Sequence, residues 1–387
     1  MDNFEFYTPT KIFFGDDREK DVGKIIATYG FKKIALVYGK GSIKKIGLYD
    51  TVINSLKESH IDYIELSGVE ANPKLSLVIK MKETLKQNPV EMILAVGGGS
   101  VIDTCKSLSH AYYYENNPFD FNLGICKSNK HLPVGVILTI SAAGSEMSSS
   151  CVISNDLITP YRKKGFNADS NRPLFAILNP KLTYSVSPYQ TACGIVDIMM
   201  HTLERYMNAN DKCKLADEFA ISLLKTVIEN GKIVMKDPTN YNARKEIMLA
   251  SSFSHNGLTS LGKNTFMRVH GFEHILSGMY DNVAHGAGLA ILWPCWCEYI
   301  LDNNAAKEKL TILAQELFNV NDAKTGIEKL KEYFKELNMP TSFKDLNFKV
   351  DINALALEYA KYNKTTTNDY KILDINAAKE IFSLANN

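Results

Sequence analysis

Met92-Ile93-Leu94-Ala95-Val96-Gly97-Gly98-Gly99-Ser100-Val101-Ile102-Asp103 is the stretch on which the fold turns. Five apolar residues in an unbroken run suit a strand buried on both faces, the condition of a parallel sheet. Three glycines end the run, and the residues after Ser100 open a helical pattern. Glycines let backbone N–H groups approach an oxyanion closely, and a helix N-terminus favours negative charge, so a pyrophosphate fits this turn. Asp103, one turn in, is placed either to reach a ribose hydroxyl or to cap the turn. The spacing is not GxGxxG, so a tight strand-to-helix turn without a ligand is the competing reading.

Similar apolar runs flank it. Ile34–Tyr38, Asp62–Leu66, Val134–Leu138 and Phe175–Leu178 read as further strands, with helical patterns between several of them, such as Leu75–Gln87. Alternating strands and helices predict an α/β domain with a parallel sheet covered on both faces. After Pro180 the period changes. Asp217–Glu229, Tyr241–Phe253, Ala305–Leu317 and Ala323–Leu337 carry apolar residues at helical spacing, which predicts an all-helical second half. The boundary falls at 186/187, giving domains 1–186 and 187–387 with a packed cleft between them. A length of 387 residues agrees with two domains at about 150 residues each.

Composition narrows the partners. Lys+Arg 44 against Asp+Glu 43 leaves a net charge of +1, so no long-range field holds nucleic acid or an anionic membrane. No run of roughly 18 apolar residues is free of charge, which excludes a membrane-spanning helix. The start, Met1-Asp2-Asn3-Phe4-Glu5-Phe6-Tyr7, has neither the basic nor the apolar region of a secretory signal. Seven scattered cysteines read as reduced thiols of a cytoplasmic protein. Cys295-Trp296-Cys297 is the one close pair and lacks the CxxC spacing of a zinc site.

Two other features point to chemistry. Tyr38-Gly39-Lys40-Gly41-Ser42 again joins glycines, a hydroxyl and a lysine at a strand end. An Asp there would bond a free ribose 2′-OH and repel a 2′-phosphate; the turn has none, which favours a phosphorylated cofactor over a solvated loop. The histidines cluster: five of eight lie at His201, His255, His270, His274 and His285. Asp197 and His201 are four apart in an apolar helix, as are His270 and His274, and so share faces. One Asp and up to three His suit Fe2+ or Zn2+ with an open position; an Asp–His bond among core histidines is the alternative. His255 reads as structural. The small-residue loop Ser141-Ala142-Ala143-Gly144-Ser145-Glu146 reads as a plain turn or as a platform for a flat ring, and no Gly-x-Ser-x-Gly nucleophile motif is present.

Taken together, the triple-glycine turn, the loop Thr139–Met147, Pro188–Gly194 before the Asp–His helix, His270-Gly271-Phe272-Glu273-His274 and His285–Ala290 resemble the iron-containing (group III) alcohol dehydrogenases, in particular the butanol dehydrogenase branch with its NADPH-dependent aldehyde reductases. The resemblance implies a dehydroquinate synthase-like fold: a dinucleotide-binding α/β domain and a helical domain with a metal in the cleft. It places the metal ligands at Asp197, His201, His270 and His285. His274 is set near the substrate and cofactor rather than on the metal, whereas helical spacing alone pairs it with His270. Cofactor positions implied are Gly39, Gly41 and Ser42 at the adenosine ribose, Gly98, Gly99, Ser100 and Asp103 at phosphates and ribose, Thr139 and Ser141 beyond, and Lys163 and Leu182 at the nicotinamide side. Two departures stand out. Familiar members carry Pro-Ala-Thr-Gly-Ser-Glu where this chain has Ser141–Glu146, losing a threonine hydroxyl, and the segment Tyr280–His285 is one residue longer.

The implied activity is hydride transfer between NADP(H), with NAD(H) as the other option, and a small primary alcohol or aldehyde such as butanol or butanal. The resemblance also implies a homodimer that adds a strand near Lys11-Ile12-Phe13-Phe14 to a partner's sheet. Competing readings are a polyol (glycerol-type) dehydrogenase, a lyase on a phosphorylated substrate for which Arg268 is the obvious cation, a metallohydrolase using the Asp/His site, and a non-catalytic nucleotide-binding module.

Overall fold

The computed structural model describes residues 3–127, 129–209, 213–363, 365–367 and 369–386. The chain forms two compact units, Tyr7–Val186 and Ser187 onward, the second also taking in residues up to Phe6.

The first unit is built on β1 (Lys11–Phe14), β2 (Lys33–Gly39), β3 (Asp62–Val69), β4 (Met92–Gly97), β5 (Val134–Leu138), β6 (Ser150–Asn155), β7 (Arg162–Asn167) and β8 (Phe175–Leu178). Between them run α1 (Val22–Thr28), α2 (Ser42–Lys45), α3 (Leu48–Glu58), α4 (Leu75–Gln87), α5 (Gly99–Ala111) and α6 (Phe119–Leu123). Six strands form one parallel sheet in the order β1-β8-β5-β4-β2-β3. Every residue of β4 and β5 is buried, as their unbroken apolar runs require of central parallel strands. The order reverses between β2 and β4, where Tyr38 lies opposite Val96. Both glycine turns leave the C-terminal ends of these two neighbours. They therefore flank the crevice where open α/β sheets bind ligands.

Two elements were not among the strands read from the alternating pattern. Lys11–Phe14 joins its own chain's sheet as an edge strand, register Lys11↔Phe175 to Phe14↔Leu178. Its other side faces no strand among the described residues. The antiparallel hairpin β6–β7 escaped notice because β7, Arg-Lys-Lys-Gly-Phe-Asn, shows no apolar alternation. It is held instead by Cys151 and Ile153, both fully buried, on β6.

The second unit is helical: α7 (Pro188–Tyr206), α8 (Lys214–Lys236), α9 (Tyr241–Ser254), α10 (Arg268–Met279), α11 (His285–Ile300), α12 (Asn304–Phe318), α13 (Ala323–Glu336), α14 (Ile352–Tyr362) and α15 (Ile375–Leu384). Its core joins Ile195, Met199, Leu224, Phe272, Leu292, Trp293, Phe334 and Phe382, among others. Helix α7 starts cleanly, with the Ser187 hydroxyl accepting the Gln190 amide and Pro188 at its first position. From Ile195 to Tyr206 every residue of α7 is buried. A helix surrounded on all sides is a core helix, so polar side chains on it need partners inside the protein. No helix among the described residues is long and apolar enough to cross a membrane.

Candidate active site

Asp197 and His201 sit one turn apart on α7, and both are buried. From α10 comes buried His270; from the first position of α11 comes half-buried His285. One carboxylate oxygen, Asp197 Oδ1, lies 3.4 Å from His201 Nε2, 3.6 Å from His270 Nε2 and 3.7 Å from His285 Nε2. Donors of a tetrahedral ion bound at ~2.1 Å stand roughly 3.4 Å apart, which these spacings from Asp197 suit. Asp197, His201 and His270 form one compact donor group, and His285 also falls in a second with Glu273 and His274. Asp197 Oδ1 and His270 Nε2 are buried, with no hydrogen-bond partner among the described residues. Buried polar atoms aimed at one point and left unsatisfied fit a cation there.

The opposite edges of two rings are tied down. His270 Nδ1 donates to Glu204, which also accepts the amides of Val269 and His270 at the start of α10. One carboxylate thus orients a ring and caps a helix. His285 Nδ1 donates to fully buried Glu273. Each bond leaves Nε2 as the outward donor. Among the described residues no carboxylate holds His201 Nδ1, which faces Arg205 Nη1 at 3.4 Å; the ring of His255 stacks on it, centroids 3.9 Å apart and planes at 28°. Arg205, one turn on, donates to the His201 carbonyl. Helix α11 reaches α7 because residue 286 is glycine; a Cβ there would lie 2.3 Å from the Cys193 carbonyl oxygen.

Burial pushes His201 well below its ordinary pKa of 6.5, with His255 and His270 acting in the same direction. Its ring is therefore neutral, as metal ligation demands. Burial also opposes charge on His270, but Glu204 and Asp197 outweigh it and lift that ring to about 9.

His274 stands outside the Asp197 group. Its ring centroid is 6.3 Å from that of His270 and 5.7 Å from that of His285, and it is half-buried. Arg268 forms an ion pair with Asp369 at 2.5 Å and lies over the Phe266 ring.

In the first unit, Gly98 and Gly99 turn from β4 into α5. A Cβ on Gly98 would fall 2.1 Å from Ile140 Cγ2. The loop holding Thr139 and Ser141 thus crosses directly over the turn, and the Thr139 amide bonds the Gly97 carbonyl at 3.1 Å. Ser100 lies in the first turn of α5. Gly41 takes φ +127°, and Ser42 begins α2. Lys40 pairs with Glu70 at 2.5 Å, so a carboxylate from β3's end does reach this turn, although β2 supplies none. Asp103 is committed within the protein: it accepts Ser145 Oγ–H at 2.6 Å and the Val152 amide at 2.9 Å. Lys163 reaches Asn72 at 3.1 Å, and Leu182 packs half-buried against the sheet core.

Glu204, Glu273, His255 and Lys106 were missed from sequence. Glu204 left a signal, since Asp197, His201 and Glu204 follow i, i+4, i+7 spacing on one face of an apolar helix.

A donor group of this kind and a glycine-turn α/β unit, joined in one chain, define a metal-dependent dinucleotide enzyme. Residues 9–180 match the iron-containing alcohol dehydrogenase family model, and residues 191–385 match the C-terminal model of the Fe-containing alcohol dehydrogenase family. The chain belongs to the iron-containing alcohol dehydrogenase family and is an oxidoreductase. It is 38% identical to NADH-dependent butanol dehydrogenase A of Clostridium acetobutylicum, over 99% of both chains. It is 30% identical to the NADPH-dependent aldehyde reductase YqhD of Escherichia coli, over 100% of both. The crystal structure of NADH-dependent butanol dehydrogenase A from Thermotoga maritima superposes with a TM-score of 0.94 at 33% identity, covering 100% of this chain and 99% of the other.

Proposed function

We propose that this enzyme transfers hydride reversibly between NADP(H) and a small primary alcohol or aldehyde, with butanol and butanal as the model pair. The observation that carries the reading is the spacing of three Nε2 atoms around Asp197 Oδ1. Asp197, His201, His270 and His285 would hold Fe2+ or Zn2+, and the donor set admits both. When bound, a divalent ion supplies Lewis-acid polarisation of the carbonyl oxygen and the reduced nicotinamide supplies the hydride. The chain's own residues bind, align and move the proton. The Gly98–Ser100 amides hold the pyrophosphate, and Thr139, Ser141, Lys163 and Leu182 set the nicotinamide side. An imidazole nitrogen of His274 gives the proton to the product alcohol and takes it back in the reverse direction.

NADP(H) is favoured by Ser42 and Lys40 beside a β2 end without an acid of its own. The Lys40–Glu70 pair works against it, and relatives named for each cofactor are similar to the chain. The reading takes the enzyme to be a cytoplasmic homodimer. The test is anaerobic loading with Fe2+ or Zn2+, followed by butanal-dependent oxidation of NADPH and NADH. A kcat/KM ratio above one for NADPH supports the assignment; a ratio below one moves it to NADH. No turnover of either cofactor with short linear aldehydes overturns the reading.

A further inference from the structure

We infer that Lys106 is a positioning residue for the cofactor: from inside the protein it fixes the height of the Thr139–Gly144 loop over the Gly98–Gly99 turn. The inference rests on the dinucleotide reading of that turn. Lys106 lies two turns into α5 and is fully buried. Its ammonium faces four oxygens: the carbonyls of Ser145 (2.7 Å), Ser148 (3.0 Å) and Ser150 (2.8 Å), and Ser145 Oγ (2.9 Å). An ammonium has three protons and no acceptor, so four oxygens saturate it. Ser145 Oγ passes the contact on by donating to Asp103, whose second oxygen accepts the Val152 amide. Asp103 and Lys106, three apart on one helix face, thus grip the turn at Ser145–Met147 and the first residues of β6. Burial draws the Lys106 pKa below 10.5, and the Asp103 carboxylate acts against it.

A buried cation is costly and persists only where its geometry is fully satisfied. Here the geometry satisfied is that of a loop. The loop is anchored on one side by the Thr139–Gly97 bond and on the other by Ser145. Between those anchors it passes over the glycines, with Ile140 against Gly98 and the Ala143 methyl 3.8 Å from where a Cβ on Gly99 would stand. Lys106 is fully enclosed at its site. It acts by setting the space between the loop and the amides below.

The experiment compares wild type with Lys106→Met, which keeps length and loses charge, and Ser145→Ala, a milder break that keeps the cation. NADPH affinity is read by fluorescence titration, and the loop by hydrogen exchange. Lys106→Met should weaken NADPH binding by at least about tenfold and Ser145→Ala by a few-fold. Exchange should rise over residues 139–152 while β2 and β4 stay protected. If Lys106→Met does not fold, Ser145→Ala carries the test by the same two readouts. Unchanged NADPH affinity in the folded variants, or exchange rising evenly across the sheet, overturns the inference. A wild type that binds neither NADPH nor NADH overturns the dinucleotide reading and this inference with it.

Discussion

Glu204 accepts the Nδ1 proton of His270 and, with the same carboxylate, the first amides of α10. Ring and helix are thus fixed by one side chain that is 2% exposed. Glu204→Gln keeps the shape and removes the charge. Outer partners of ligating histidines typically contribute 10- to 100-fold in metal affinity. We expect a loss in that range for Glu204→Gln, read by chelator competition on the Zn2+-loaded enzyme. Affinity within twofold of wild type would mean that His270 is oriented by packing alone.

His255 tests the third ring. It supports His201 by stacking, where the other two ligand candidates have carboxylates. Aromatic pairs contribute ~0.5–1.5 kcal/mol beyond area, or about 2- to 12-fold in affinity. His255→Ala should loosen metal binding by that factor and His255→Phe should restore most of it. The d–d spectrum of the Co2+ form should shift with Ala and return with Phe. Equal metal affinity in all three proteins would leave His255 with a packing role only.

These residues show what the sequence could and could not carry. The parallel sheet was legible because central strands must be apolar on both faces, and Met92–Val96 and Val134–Leu138 are. Asp197 with His201 was legible as a pair because i, i+4 spacing in an apolar helix puts both on one face. His270 and His274 share a stripe along α10, but His270 groups with Asp197 and His201 and His274 with Glu273 and His285, a division that helical spacing alone does not show. His255 looked structural because its partner is 54 positions away in sequence, and chain separation hides a stacking contact. Lys106 gave no signal because nothing local shows that four oxygens from residues 145–150 converge on it.

Two glycines should separate the units' roles. At Gly98 a Cβ meets Ile140 at 2.1 Å; at Gly286 it meets Cys193 backbone at 2.3 Å. Overpacking of this kind costs ~1–3 kcal/mol, or roughly 5- to 150-fold in an equilibrium. Gly98→Ala should weaken NADPH binding by such a factor and leave the metal content intact, with Ile140→Ala restoring part of the loss. Gly286→Ala should displace α11 and lower metal affinity while NADPH still binds. Loss of both ligands in both variants would show global damage instead.

His110 gives a pH dependence that belongs to the fold rather than to the chemistry. It is 1% exposed, and its Nε2 lies 2.8 Å from Asn171 Oδ1. Burial lowers its pKa from 6.5 to about 4, against the opposing effect of the Asn171 bond. The folded state therefore refuses a proton that the unfolded chain accepts near 6.5. The resulting stability is complete above pH 6.5 and is lost as pH falls from there toward 4, at a slope approaching ~1.4 kcal/mol per unit. His110→Gln has nothing to titrate and can still bond Asn171. By pulse proteolysis in urea, wild type should lose about 1–2 kcal/mol more than His110→Gln between pH 6.5 and 5. Parallel pH profiles for the two proteins would mean that His110 takes up its proton in the folded state, with the Asn171 contact rearranging to admit it.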